Sequence, residues 1–256
     1  MINKYFSVTK KMPIAASKQH TAFGSGDVLV DWQPIEIPKG SSCLQSLTML
    51  VRPKGDATPT DNNFGANIVF STTNTQSLGT VNSAVAHRPF PDVIGIVNIT
   101  TGHYSINVFN STVIATTNNN GDGNEAGIPI VLTPDSNATD GNVGFDTIYV
   151  GIVANGNFDF TSINAIAEDT AAEHADSKVI TMDGASMDVQ EHFAAGDVVH
   201  IGTSVGAPAA DSLIGTVASV DSSTQLTLDA VSPTALVDGD ILYNLHPITL
   251  ILGFEK

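Results

Sequence analysis

Residues 196–243 consist of short runs of alternating apolar and polar residues, separated by Gly-Asp pairs and by clusters of serine and threonine. The runs read GDVVHIG, IGTVASVDSSTQLTLDA and LVDGDILYNL. Each run is too short for a helix, and a period of two residues is typical of a strand with one buried face. This segment predicts a compact, barrel-like unit of strands joined by tight turns. The two matches that begin with Gly-Asp are too short to indicate an internal repeat.

A similar alternation begins near Asp27 and continues to about residue 165. Its apolar runs include VLVDWQPIEI, LQSLTMLV, ANIVF and TIYVGIVA, and Gly, Pro, Asn and Asp fill the loops between them. Charged residues make up 14% of the chain, whereas about 25% is usual in globular proteins. Thr, Ser, Asn and Gly take their place, which is typical of β-sandwiches with many turns. We therefore expect an all-β protein whose main domain is a jelly-roll-like β-sandwich.

The chain closes with the run HPITLILGFEK. Ile248, Leu250 and Leu252 occupy every second position, and Ile251 lies on the other face, so both faces carry apolar residues. A strand that is apolar on both faces needs burial on both faces. We expect this strand to return to the sandwich, so that the small β-barrel-like unit is inserted before it. The predicted boundaries are an irregular N-terminal arm at 1–26, the sandwich at 27–165 plus 247–256, and a linker with the small β unit at 166–246.

Charge is distributed unevenly along the chain, whose net charge is −16. Residues 1–54 hold seven bases and three acids, a balance of +4, so the remaining residues carry −20. A body this acidic repels phosphate, which argues against a nucleic-acid partner. The basic N-terminal segment is where an anionic partner would be attracted, and we expect it to dock onto a partner surface. The predicted docking residues are Lys4, Tyr5, Phe6, Lys10, Lys11 and Lys18.

The sequence contains no segment typical of a membrane span or a signal peptide, and it has a single cysteine. No stretch approaches the 18 or so apolar residues of a membrane span, so we expect no membrane partner. The N-terminus lacks the continuous apolar core of a signal peptide, which favours synthesis in a host cytoplasm. Cys43 is the single cysteine, and it lies in the apolar run CLQSLTML, where a small buried side chain is the simplest interpretation.

Catalytic and metal-binding motifs are not convincing. The run NxNxDGNE, with Asn118, Asn120 and Asp122, resembles the front half of a calcium loop. The glutamate expected at the end of such a loop is missing, and Pro129 stands there, so a plain hairpin loop is favoured over a calcium site. The seven histidines show no zinc-binding spacing, and no G-x-S-x-G nucleophile turn occurs. We expect no cofactor and no enzymatic activity.

The Thr/Asn/Gly-rich sandwich, the unit FAAGDVVHIG…LIGTVASVDSSTQLTLD…LVDGDILYNL and the basic N-terminal segment together resemble structural proteins of tailed-bacteriophage virions. The resemblance is to capsid decoration (cement) proteins and head fibres. It implies a non-enzymatic protein on the outer surface of the capsid, with the major capsid protein as partner and self-association, most often as a trimer.

A carbohydrate- or receptor-binding module of a head fibre or tail is the alternative. Jelly rolls often bind sugars by stacking them on aromatic rings. Aromatic residues make up only 6% of this chain, and Trp32 is its one tryptophan. Trp32 shares the phase of Val28 and Val30 in a predicted strand, so we expect all three to face one layer of the core.

Overall fold

The computed structural model describes residues 4–19, 21–53, 62–86, 90–109, 112–117, 128–134, 145–157, 160, 165–166, 178–182, 189–202, 212–233, 236 and 240–256. In this part of the chain the protein is nearly all β, as the sequence predicts. The only helical elements among these residues are α1 (Ala16–Gln19), α2 (Val189–His192) and a 3₁₀ turn at Thr101–His103. The strands are β1 (Tyr5–Met12), β2 (Val28–Pro38), β3 (Ser42–Val51), β4 (Ala66–Ser71), β5 (Val93–Ile99), β6 (Tyr104–Phe109), β7 (Thr112–Thr116), β8 (Ile130–Leu132), β9 (Phe145–Ala154), β10 (Ala165–Ile166), β11 (Val179–Thr181), β12 (Val198–Gly202), β13 (Ser212–Val220), β14 (Gln225–Leu228), β15 (Ile241–Asn244) and β16 (Ile248–Glu255).

Two antiparallel sheets enclose the largest core. The first sheet has the order β1-β16-β3-β7-β6, with β8 pairing with the other end of β3, and the second has the order β2-β9-β4-β5. Alternate residues of both sheets point into the space between them, and apolar side chains such as Leu47, Met49, Ile68 and Ile152 are fully buried there. Burial of this apolar surface is the main favourable term in folding.

β16 lies in the middle of the first sheet, between β1 and β3. Its residues alternate between buried and half-buried over the whole strand, with Ile248, Leu250, Leu252 and Phe254 pointing into the core. Ile251, on the opposite face, is half-buried. The last strand of the chain therefore completes the sheet that contains β3.

The prediction of an irregular N-terminal arm is wrong for residues 5–12. They form β1, which pairs with β16 from Tyr5 opposite Glu255 to Met12 opposite Ile248. Phe6 and Val8 pack against the main core, and Met12 is fully buried. These apolar residues at every second position give the segment one buried face, which the lysines at positions 10 and 11 obscure in the sequence.

The C-terminal segment forms a third sheet, in the order β10-β15-β12-β13-β14-β11, around a smaller apolar core. β15 lies between this small core and the core of the two larger sheets. Leu242 points into the small core, whereas its neighbours Ile241 and Tyr243 belong to the core of the two larger sheets. Because successive residues of a strand face opposite sides, one short strand contributes to both cores and joins them.

One turn occurs twice with the same geometry, in Phe23–Asp27 and Phe193–Asp197. In each copy a buried phenylalanine starts the turn, a glycine adopts a left-handed backbone with φ of 89° at Gly26 and 80° at Gly196, and a strand follows. The aspartate Oδ2 accepts a hydrogen bond from the backbone N–H three residues earlier, at 2.6 Å in the first copy and 2.8 Å in the second. The recurrence is FGSGDV and FAAGDV in the sequence.

Trp32 is buried, with 8% of its surface exposed, and its Nε1–H donates to the Gln76 carbonyl over 2.7 Å. It packs with Val28 in a separate apolar cluster, while Val30 points into the main core. The expectation that all three face one layer is therefore wrong. Irregularities in the pairing of β2 with β9, on both sides of Val30, change the phase of the strand.

Candidate docking surface

β1 lies at the edge of the first sheet, and its two faces differ. Phe6 and Val8 turn inward, and the Phe6 ring stacks on Phe254 with ring centroids 5.0 Å apart and planes inclined by 10°. Tyr5, Ser7 and Thr9 turn outward and are exposed. The inward face anchors the strand, so the outward face and the free edge are held in a fixed position.

The backbone of β1 leaves hydrogen-bonding groups along that edge. Lys4 and Lys256 exchange two backbone hydrogen bonds, of 3.2 and 3.0 Å. In an antiparallel ladder such bonded pairs alternate with non-bonded ones. The backbone N–H and C=O groups of Tyr5, Ser7 and Thr9 therefore point away from β16, and no described strand or turn forms a hydrogen bond with them.

β2, one of the two edge strands of the second sheet, is protected in a way that β1 is not. β2 contains Pro34 and Pro38, which lack the N–H that a further strand would need. Proline on an exposed edge is a common means of preventing unwanted strand pairing. Tyr5–Met12 contains no proline, so every residue of β1 keeps its backbone donor.

A groove of about 690 Å³ lies beside this edge. Its apolar wall consists of Phe6, Val8 and Pro38, together with the exposed ring of Tyr5. The charged residues that line it are Lys4, Glu36 and Lys256. The groove therefore combines apolar surface with charges of both signs next to an edge strand that can still pair.

A shallower recess of about 390 Å³ lies over Gly253, between Tyr5 and Gln45. A side chain at Gly253 would collide with Ser46, because its Cβ would lie 2.3 Å from Ser46 Oγ. Glu255 organises the rim, since one carboxylate oxygen accepts from Tyr5 Oη at 3.4 Å and the other from Gln45 Nε2 at 2.7 Å. Tyr5 is 72% exposed, the highest value among the described large apolar residues.

The lysines predicted to dock do not all line the groove. Lys11 Nζ lies 2.6 Å from Asp197 Oδ1 and donates to the Ala195 carbonyl at 2.7 Å, so its charge serves a contact within the chain. Lys10 is half-buried near His246, and Lys18 lies in α1. Strands rise about 3.4 Å per residue, so Lys4 lies about 20 Å from Lys10. Among the predicted residues, only Lys4, Tyr5 and Phe6 line the groove.

Asp197 is the centre of a polar cluster where the small unit meets the sandwich. Its side chain is 2% exposed. It accepts hydrogen bonds from Asn244 Nδ2 and from the backbone N–H of Ala194, both at 2.8 Å, and Arg52 Nη2 lies 3.8 Å away. Lys11 and Arg52 belong to the sandwich, so their contacts with Asp197 join the small unit to it.

Two histidines lie beside this cluster and are shifted toward their neutral forms. Burial, with a smaller effect from the positive charge of Arg52, lowers the pKa of His192 to about 3. Burial also lowers the pKa of His246, whose Nδ1 accepts a hydrogen bond from the backbone N–H of Val198 at 3.3 Å. Neutral imidazoles avoid adding charge beside Lys11 and Arg52, so the cluster is suited to holding two units together.

Sequence reasoning missed the role of Asp197, which reads as an ordinary Gly-Asp turn. The repeated F-x-x-G-D-V run could have indicated the turn itself. Nothing local distinguishes Asp197 from Asp27, because the additional partners Lys11 and Asn244 lie 186 and 47 residues away.

The described part of the chain contains neither a metal-binding cluster nor a helix that could span a membrane. No group of three or more His, Cys, Asp or Glu residues there could hold a metal ion. The loop with Asn118, Asn120 and Asp122 lies outside the described residues. None of the described helices is long and apolar enough to cross a membrane.

Comparison of the sequence with models of known protein families and with curated proteins gave no match.

Proposed function

We propose that this protein is a non-enzymatic structural component of a tailed-phage virion that binds the assembled capsid and stabilises it, as a decoration or cement protein. The observation that carries the proposal is the unprotected edge of β1 beside its groove, with Lys4, Tyr5 and Phe6. This surface is suited to a protein partner. The proposed partner is the major capsid protein, with a second kind of contact between copies of this chain in a trimer.

The rest of the structure suits a rigid spacer. β15 contributes to two cores at once, and the buried Asp197 cluster ties the small unit to the sandwich. A protein that binds only the assembled lattice stabilises it by linkage, and many copies on a lattice gain from multivalency. Within this proposal the sandwich is jelly-roll-like and the small unit barrel-like, with the acidic body exposed at the virion surface and repelling nucleic acid.

The test uses virions of the phage that encodes the chain and of a mutant phage that lacks the gene. We expect the protein in purified wild-type virions by mass spectrometry. We also expect added protein to decorate the mutant virions at repeated lattice positions by cryo-electron microscopy. Lys4→Glu should weaken this binding at least tenfold, whereas Lys178→Glu, an exposed lysine of the small unit, should leave it unchanged. Absence of the protein from purified virions would overturn the proposal.

A carbohydrate- or receptor-binding role in a head fibre or tail is a second candidate, favoured by the exposed ring of Tyr5 beside the Gln45–Glu255 pair. An aromatic face next to an amide and a carboxylate is suited to a sugar ring. In this case the protein should bind members of a bacterial glycan array, and Tyr5→Ala should abolish binding. Val131→Ala, which truncates another exposed apolar side chain, is the control. An array without binding rejects this candidate.

A further inference from the structure

We infer that β1 binds its partner by strand addition: an extended segment of another protein, with acidic residues six positions apart, pairs with the free edge of β1. The inference deepens the proposed function, on which it rests for the identity of the partner. It concerns the backbone of Tyr5, Ser7 and Thr9, whose outward N–H and C=O groups have no partner among the described residues. Added strands gain affinity from such main-chain bonds and specificity from alternate side chains.

The side chains of β1 define the pattern that a partner strand should carry. Lys4, Phe6, Val8 and Lys10 share the inward face of the strand, by the alternation that buries Phe6 and Val8. Neither Lys4 nor Lys10 has an ion-pair partner among the described residues. A strand laid beside β1 would meet the two lysines at positions six residues apart, with the two apolar side chains at the positions between.

The partner pattern is therefore an acid, an apolar residue, an apolar residue and an acid at every second position, with polar residues between them. Opposite charges placed across a strand pair stabilise the pairing, and apolar pairs do the same. Both ends carry acids, so the charge pattern is the same in either strand direction. A second copy of β1 does not satisfy it, because lysines would face lysines or uncharged residues.

The small unit sets the length of the usable edge. Lys11 Nζ donates to the Ala195 carbonyl and pairs with Asp197, and a Cβ added at Gly196 would lie 3.2 Å from it. The turn at Ala195–Asp197 thus covers the end of β1 at Lys11. On the side away from β16, Tyr5 to Thr9 pairs with no other described strand, and the span from Lys4 to Lys10 suits a segment of about seven residues.

The experiment uses the full-length protein and the capped synthetic peptide Glu-Thr-Val-Thr-Val-Thr-Glu as the probe. Amide hydrogen exchange followed by NMR reports each backbone N–H separately. We expect saturating peptide to slow exchange at Ser7 and Thr9 at least tenfold, with little change at Phe6 and Val8, which already bond to β16. The charge-reversed peptide Lys-Thr-Val-Thr-Val-Thr-Lys should bind at least tenfold more weakly.

Ser7→Pro is the sharpest variant, because it removes one outward N–H that has no partner within the described chain. It should weaken binding of the acidic peptide at least tenfold, while the matched variant Ser7→Ala, which keeps the N–H, should bind like the wild type. Urea unfolding checks that both variants are folded. The exchange pattern of the wild type tests the inference even if Ser7→Pro does not fold.

Several results would overturn the inference. These are no peptide binding at millimolar concentration, binding without protection of Ser7 and Thr9, and equal binding by folded Ser7→Pro. Protection of the same amides in concentrated protein without peptide, lost on dilution, would assign the edge to a second copy instead. If Ser7→Pro decorates virions as well as Ser7→Ala, strand addition is wrong while the proposed function stands. Absence of the protein from virions affects only the proposed function.

Discussion

The two copies of the F-x-x-G-D turn provide a matched pair of variants for measuring what the buried Asp197 contributes. Asp27→Ala removes a carboxylate that accepts one backbone hydrogen bond, from Gly24 at 2.6 Å. Asp197→Ala removes the corresponding turn bond and also the contacts with Lys11, Arg52 and Asn244. The difference between the two variants reports the contacts that Asp197 makes beyond its turn, with Lys11 and Arg52 on the sandwich side and with Asn244 in β15.

The magnitudes follow from burial and partner number. A hydrogen bond to a charged group contributes about 1.5–3 kcal/mol, and Asp27 is half-buried, so we expect Asp27→Ala to lower the free energy of unfolding by about 1.5 kcal/mol. Breaking a buried ion pair by removing one partner costs about 3–5 kcal/mol. Lys11 is still 30% exposed and can regain water, which places Asp197→Ala near the lower limit of that range, at about 3 kcal/mol.

Urea unfolding of both variants and of the wild type is the assay, with the fluorescence of Trp32 reporting on the sandwich and circular dichroism on the whole chain. We expect Asp197→Ala to be less stable than Asp27→Ala by about 1.5 kcal/mol. Its two probes should also separate, because a loosened small unit unfolds before the sandwich. Equal destabilisation by the two variants, with coincident transitions, would show that the reasoning about the Asp197 cluster is wrong.

His192 should make the protein less stable in mild acid. Its pKa is about 3 in the folded protein and about 6.5 when unfolded, so the unfolded chain binds an extra proton below pH 6.5. Stability should fall by about 1.5 kcal/mol between pH 6.5 and 5 from this group, and His192→Gln should remove that part of the slope; an unchanged slope in urea titrations would contradict this. Trp32→Ala should destabilise by about 3–5 kcal/mol, measured by calorimetry, and a loss below 1 kcal/mol would contradict the burial of the ring. Tyr104→Phe should cost about 1 kcal/mol by leaving the Phe64 carbonyl, now bonded at 3.0 Å, without that donor; an unchanged midpoint of unfolding would contradict it.

The β character of this protein was predictable from its sequence. A period of two residues and turn chemistry are local properties, and runs such as Ile248–Glu255 reveal them without reference to the rest of the chain. The burial of Trp32 was predictable for the same reason. Its separation from Val30 was not, because the irregular pairing of β2 with β9 is a property of two strands together.

The candidate site depended on tertiary structure to a greater degree. Sequence reasoning selected the N-terminal segment as the docking element, and Lys4, Tyr5 and Phe6 do line a groove, but it assigned them to an irregular arm. The segment becomes an edge strand because β16, about 250 residues away, supplies its ladder. The same long-range folding brings Lys11 to Asp197 and so removes that lysine from the docking surface. Alternation along a strand determines which side chains share a face, whereas strand neighbours are chosen by the packing of the whole core, and that choice decides which edge stays open.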